Sequence, residues 1–520
     1  MNLIKDICKP NKENKMCAKH NYHIILSFSF LLTFCETKTN QPSETARLGS
    51  TTQTYSKNLK KINNQIRKEK FDLIVPNAMR KNNIDMWIHV MRDAISDLNI
   101  QKDNPTYEND LFGAEDIGSS SGVFVFTDRG GDRIERAVIG RRWGATQRQR
   151  TENKSHLIEK LGVYDIIHDP IFVAEPLASP KTEYDFRFKG LKKFVEARDP
   201  KQIAVNFRDE LGPWETTRMV RDGISYTDYR LLVKELGEKY ASRLVSSEYV
   251  IMDYCISPVP SEVELLKKMR KDELKLVKKS FAEIKPGITR TDELGETGDY
   301  EVDVVAFRRM SAGQSQRGRS SGWENAVIQG GDIIAAPSQG MFAYVLRNGE
   351  TKPPSEIQKL WNEYLKIEKI LAETIKAGFT AREIIQNYKK KFAEVDVIIV
   401  EPQMHMVQPK NNFPAYSKGY DPKKTLISID CHGKGRGSRQ WKHDIYLGPR
   451  IGSYGPDWTY DVPLAPKHHF VLEYFFYMPA PTTNKDDDQY LLFWNHEQAI
   501  ATERGVEYLS PPQKDLYLIK

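Results

Sequence analysis

Pro466-Lys467-His468-His469-Phe470-Val471-Leu472-Glu473-Tyr474-Phe475-Phe476-Tyr477 is a strand-like run of apolar, aromatic and β-branched residues with a single acid inside its apolar part. A carboxylate in that setting must be paired, protonated or bound to metal, because an isolated buried charge costs too much free energy. Histidines and acids recur on either side of it. Asp430-Cys431-His432-Gly433 and Lys442-His443-Asp444 come before, and Trp494-Asn495-His496-Glu497 comes after. Imidazole and carboxylate together suit Zn²⁺ or Mn²⁺. The residues alone leave a second reading open, in which Glu473 pairs with an Arg or Lys and the histidines lie on the surface.

Outward from this stretch, the composition is that of an ordinary folded protein. The 520 residues suffice for two or three domains, each with its own core. Charged residues make up 28% and hydrophobic ones 39%, and the net charge of +7 is spread along the chain rather than gathered in a patch. That distribution argues against a nucleic-acid partner.

The amino terminus reads as targeting. Lys19, His20 and His23 precede the apolar run Ile24 to Phe34, which is too short to span a bilayer as a helix and ends at Cys35. A basic start, a short apolar run and a cysteine resemble a bacterial lipoprotein signal, with Met16 as an alternative start. Residues 1–35 are therefore expected to be the signal, and the chain an exported lipoprotein, periplasmic or at the cell surface, held to its membrane by lipid on Cys35. Residues 36–68, rich in Thr, Ser, Gln and Asn at their start, read as a flexible tether. Beyond Cys8, Cys17 and Cys35 only Cys255 and Cys431 remain, too few and too far apart for a disulfide framework.

The folded part alternates strands and helices, which implies an α/β class. Phe71 to Arg80 reads as a helix and Ile84 to Val90 as a strand. Gly122 to Phe126 and Ile134 to Ile139 read as a hairpin about Gly130-Gly131-Asp132, and Gln202 to Asn206 as a strand before a helix from Tyr226 to Leu236. Pro258 and Pro260 mark a boundary, after which Ser261 and Glu264 form a capping box for a helix with Leu266, Met269, Val277, Phe281 and Ile284 on its apolar face. An internal echo follows: Ile284-Lys285-Pro286-Gly287-Ile288-Thr289 against Ile375-Lys376-Ala377-Gly378-Phe379-Thr380. Each has Gly as a helix stop and Thr as the next cap, which suggests two related halves. Between them, Phe307 to Gly322 is a basic, Gly/Ser-rich loop.

The closing motifs resemble those of the creatinase/prolidase/aminopeptidase P superfamily, the "pita-bread" metallopeptidases. His443-Asp444-Ile445 resembles the segment carrying a catalytic histidine. Glu473, after Leu464-Ala465-Pro466, resembles the strand glutamate that binds metal, and Glu497, before Thr502-Glu503-Arg504-Gly505-Val506-Glu507-Tyr508-Leu509, resembles the last ligand. Counting back from His443, His432-Gly433 falls on the first histidine of a His-Gly-x-x-His segment, and Arg436 on the ligand histidine. Gln329-Gly330-Gly331-Asp332 resembles the turn before a hairpin that carries two aspartate ligands, yet no aspartate follows Asp332 until Asp396.

The resemblance implies a creatinase-type α/β domain over residues 69–255, offering a homodimer contact, and a pseudo-twofold pita-bread domain over 256–520. It implies His443 as catalytic residue and His432, Glu473 and Glu497 as metal ligands, with at most one Mn or Zn ion, or none. Arg436 would then pair with both glutamates. The activity implied is Xaa-Pro aminopeptidase- or prolidase-like hydrolysis of a peptide substrate. The alternative is a metal-free cleft that binds peptides without cutting them.

Overall fold

A computed structural model of the chain describes residues 61–91, 121–142, 162–168, 188, 190–207, 223–294, 296–297, 300–301, 305–307, 310–311, 327–399, 423–434, 446–452, 460–479 and 489–520. Cys35, Arg436, His443 and most of the basic loop lie outside these residues. Among the described residues no helix is long and apolar enough to cross a membrane.

The first sheet takes its strands from the earlier half. β1 (Met86–Met91), β2 (Ser121–Asp128), β3 (Ile134–Arg142), β4 (Ile166–His168), β5 (Ile203–Val205) and β6 (Leu244–Ser246) stand in the order β4-β3-β2-β1-β5-β6. β2 and β3 form the expected hairpin, its turn made possible by Gly130 and Gly131, both at φ +80°. β5 and β6 are parallel, joined by the helix Tyr226–Ala241. Alternation along the central strands fills both faces. Trp87, Phe124 and Phe126 pack with Phe71 and Tyr254, while Ile88, Val90, Val123 and Val125 pack with Leu232 and Tyr240.

Residues 61–73 are helical, so the described end of the stretch expected to be tether is part of a helix. Buried ties explain it. Lys70 reaches Glu262 at 3.1 Å and donates to the Tyr254 carbonyl at 2.9 Å, and Ser261 donates from its backbone N–H to Glu69 at 3.0 Å. Ser261 is therefore not the cap of the next helix. That helix, Pro260–Glu283, starts earlier, with Val259 as N-cap and its N–H bonded to Glu262 Oε2 at 3.3 Å. Pro260 suits the first helical position because it has no N–H to leave unsatisfied there.

The later half is built on β9 (Val305–Phe307), β10 (Met310–Ser311), β11 (Ile333–Ala336), β12 (Met341–Val345), β13 (Ile398–Ile399), β14 (Leu426–Lys434), β15 (Tyr446–Gly452), β16 (His469–Pro479), β17 (Gln489–Thr502), β18 (Gly505–Tyr508) and β19 (Tyr517–Ile519), with β7 (Glu296–Thr297) and β8 (Tyr300–Glu301) as a separate pair. One sheet runs β19-β12-β11-β9. The larger runs β10-β17-β16-β14-β13, with β15 on β14 and β18 on β17. The helices Ser355–Thr374 and Ala381–Ala393 supply Trp361, Tyr364, Leu371, Ile384 and Tyr388 to a core with Leu472, Tyr474, Phe476 and Phe493.

The internal echo has a structural counterpart. Gly287 (φ +81°) and Gly378 (φ +87°) each end a helical arm, and each docks by a reciprocal backbone pair. Gly287 donates to Ile328, which returns a bond to Thr289. Gly378 donates to Leu464, which returns one to Phe379. The halves then diverge. Thr380 caps Ala381–Ala393 with Glu383 at N3, whereas a 3₁₀ turn, Thr291–Glu293, follows Thr289.

Candidate metal centre

β14, β15, β16 and β17 lie side by side, and the antiparallel register decides which side chains meet. Glu473 stands opposite His496, and His432 stands opposite Val471, two residues along from Glu473 and so on the same face. The result is a cluster of His432, Glu473 and His496 with one donor atom from each within 4.8 Å of the others. His432 Nε2 is 3.6 Å from Glu473 Oε2, and His496 Nε2 is 3.9 Å from the same oxygen.

Those spacings fit a divalent ion. Donor atoms about 2.1 Å from a tetrahedral metal lie about 3.4 Å from one another, while a direct hydrogen bond would draw them closer. Two imidazoles and one carboxylate are also the donor set of a catalytic zinc site that keeps a fourth position open. Glu473 and His432 are buried, and His496 is partly exposed. Burial alone would raise the Glu473 carboxyl, but the His432 ring, and then the charge of His496, carry it below the ordinary carboxylate range. Phe475 and Trp494 stack beside the cluster with centroids 5.6 Å apart, and Trp494 meets His496 edge-on.

Of the expected ligands, the structure brings His432 and Glu473 together and sets Glu497 apart. Glu497 pairs with Leu472, one residue out of step with the Glu473–His496 pair, so its side chain leaves the opposite face of β17. There it lies 3.6 Å from Arg270 Nη2 on the helix Pro260–Glu283 and fills the space beneath Gly340. Burial pushes it up to about 8, with Arg270 opposing the rise and Glu368 adding to it. Glu368, on the helix Ser355–Thr374, is pushed by burial up to about 7 although Tyr474 and Tyr364 donate to its Oε1 at 3.2 and 3.3 Å. Asn495 donates to the Tyr474 hydroxyl at 2.6 Å.

His496 is the residue that the sequence reading passed over. The signal was present in the alternation of β17. Phe493, Ala499 and Ala501 mark its packed face and Trp494, His496 and Gln498 the other, with Glu497 in the packed set. The pairing foreseen between Arg436 and the two glutamates cannot be followed, since Arg436 is outside the described residues. Two other arginines take carboxylates nearby: Arg270 faces Glu497, and Arg450 grips Asp430 with Nε and Nη2, each 2.6 Å from a carboxylate oxygen. Cys431, on the reverse of β14 from His432, is a buried thiol. Burial raises its pKa well above the usual value, and its Sγ points to the Glu473 carbonyl at 3.8 Å. It packs rather than ligates.

No protein-family model matches the sequence, and no curated protein matches it. Among solved structures the chain is similar to the X-Pro aminopeptidase of Thermotoga maritima, at 14% identity over 85% of this chain and 100% of that one, with a TM-score of 0.48. It is similar to the prolidase of Pyrococcus horikoshii at 15% identity over 86% of this chain and 99% of that one, with a TM-score of 0.42. A Xaa-Pro dipeptidase of Bacillus anthracis is similar at 14% identity over 88% and 99%, with a TM-score of 0.44. Aminopeptidase P and prolidase are the enzymes whose superfamily the closing motifs of the sequence resemble.

Proposed function

We propose that the chain is a hydrolase of peptide bonds that works with one divalent ion, Mn or Zn, held by His432, Glu473 and His496. The observation that carries this reading is the convergence of two imidazole Nε2 atoms on one oxygen of Glu473, at 3.6 and 3.9 Å. An ion there would polarise a peptide carbonyl and acidify water to near neutrality. The chain's own residues do the rest. Glu473, held below the ordinary carboxylate range, stays charged and acceptor-only at neutral pH. Packing of β14 and β16 holds His432 in place, while the partly exposed His496 stands at the mouth. The partly exposed Trp494, stacked on the buried Phe475, offers an apolar surface to a substrate side chain, and the resemblance to Xaa-Pro enzymes makes a proline ring the first to try. The amino-terminal pattern ending at Cys35 supports an exported, lipid-anchored protein.

Elemental analysis of the purified chain tests the reading. Near-stoichiometric Mn or Zn is expected, with dipeptide cleavage that a chelator abolishes and the metal restores. A chain that takes up neither ion would overturn it. If that chain still bound peptides, the metal-free binding module would stand in its place.

A further inference from the structure

Next to the proposed ion lies a second carboxylate with a different partner. The register that pairs Ile429 with Tyr474 and His432 with Val471 puts Asp430 abreast of Glu473 on adjoining strands. Both are buried, at 1% and 3% exposure. Side chains abreast on one face of an antiparallel pair have Cβ atoms about 5 Å apart, and two such carboxylates are how a protein holds two metal ions about 3.5–4 Å from each other. Here the space beside Asp430 belongs to an arginine. Arg450 stands opposite His432 on β15, and its guanidinium takes both Asp430 oxygens at 2.6 Å. Gly452, opposite Asp430, makes the grip possible, since a Cβ there would come within 2.8 Å of Asp430 Oδ1.

Resting on the metal-centre reading above, we infer that Arg450 is a built-in cation in the place of a second metal ion, and that it fixes the centre at one ion. Both oxygens of Asp430 are committed to a fork that cannot lose its proton. Each buried carboxylate is thus answered by its own cation: Asp430 by guanidinium, Glu473 by the ion. The pair also sets the local charge, because a neutral Asp430–Arg450 couple beside the ion neither attracts a second cation nor repels the first.

The test counts ions on the full chain after chelation, dialysis and titration with Mn²⁺ alone. Wild type is expected to retain one ion, Arg450→Met two, and the double variant Asp430→Asn/Arg450→Met one. Arg450→Met that folds with a wild-type circular dichroism spectrum and still retains one ion overturns the inference. A second measurement holds if Arg450→Met fails to fold. In Asp430→Asn the guanidinium keeps its charge and loses its partner, so affinity for the single ion should fall about ten-fold and return in the double variant. Unchanged affinity in Asp430→Asn overturns the inference as well. A wild type that retains no ion removes the metal-centre reading itself, an outcome distinct from either of these.

Discussion

Two groups of buried acids lie back to back across the β16–β17 pair. On one face Glu473 is held below the ordinary carboxylate range and met by two imidazoles, of which His496 is partly exposed. On the other, Glu368 and Glu497 are pushed by burial up to about 7 and about 8, and are surrounded by Tyr364, Tyr474, Asn495 and Arg270. The same residue type, one position apart in register for Glu473 and Glu497, is tuned in opposite directions. Desolvation acts on all three, so the partners decide. Two imidazoles that converge on one carboxylate favour its charge, while phenolic hydroxyls at Glu368 and one guanidinium 3.6 Å from Glu497 do not outweigh burial. The first face brings three possible metal donors together, whereas the second sets a guanidinium against its acid. The second is a polar patch inside a core, where Glu368 accepts from two tyrosines and an asparagine.

The largest expected effect separates the faces outright. Glu473→Gln should reduce bound Mn or Zn to background and abolish peptide hydrolysis, because a neutral amide replaces the only charged ligand. Glu497→Gln should keep its metal. Elemental analysis of both variants decides the matter. Equal loss of metal in the two would show that Glu497 shares the site, and the face assignment would fall.

That comparison also marks how far the sequence could be read. The run around Glu473 was legible because apolar and aromatic residues fill it on both alternations, and strand pairing follows from such a run. The α/β alternation of the earlier half and the paired Gly-Thr junctions at Gly287 and Gly378 were legible for the same reason, being local patterns. Which acids share a face was not local. Glu497 drew the ligand expectation as a carboxylate near the closing motif, yet a shift of one residue in a strand reverses the side chain, and it is His496 that shares the face of Glu473. Arg270, Glu368 and Arg450 carry no short-range signal at all. Arg270 reaches Glu497 from a helix more than two hundred residues away in the chain, and only the fold could pair them.

The next effect is thermodynamic and belongs to the packed face. Glu368 moves from the ordinary 4.5 to about 7 on folding, so the folded chain holds a proton that the unfolded chain releases above pH 4.5. Stability conferred by that proton is lost as pH rises from 4.5 to about 7, at about 1.4 kcal/mol per pH unit, about 3 kcal/mol in all. Glu368→Gln keeps an acceptor for Tyr364 and Tyr474 without the ionisation. Its advantage over wild type in urea melts should grow to about 3 kcal/mol by pH 8 and vanish near pH 4. A constant difference at all pH values would mean that Glu368 is not protonated in the folded chain.

Smaller again is the effect of the turn above Glu497. Gly340 has φ +57°, and a Cβ there would run into the Glu497 carboxylate. Gly340→Ala should destabilise by about 2 kcal/mol, part of it the left-handed backbone and part the displaced acid. Adding Glu497→Ala should relieve the second part only, so the two changes are not additive. Additive melting shifts would place Glu497 away from that turn.

The smallest effect at neutral pH comes from a histidine beside the sheet, and it mirrors Glu368. His468 is fully buried and stacked on Phe470 with centroids 4.2 Å apart, and neither ring nitrogen has a hydrogen-bond partner among the described residues. Burial, with the charge of His469, pushes it down from 6.5 to about 3. Here the unfolded chain takes a proton that the folded chain refuses, so stability is lost as pH falls from 6.5 toward 3. Between pH 4.5 and 6.5 the two residues oppose each other: folding retains one proton on Glu368 and excludes one from His468, and their slopes cancel. Removing either should expose the other. Glu368→Gln should give stability that climbs by about 1.4 kcal/mol per pH unit relative to wild type over this range, and His468→Phe stability that declines with rising pH at the same rate. Melts at pH 5 and 6 suffice. If the two variants shift in parallel, Glu368 and His468 are not tuned against each other, and the packed face loses its thermodynamic account.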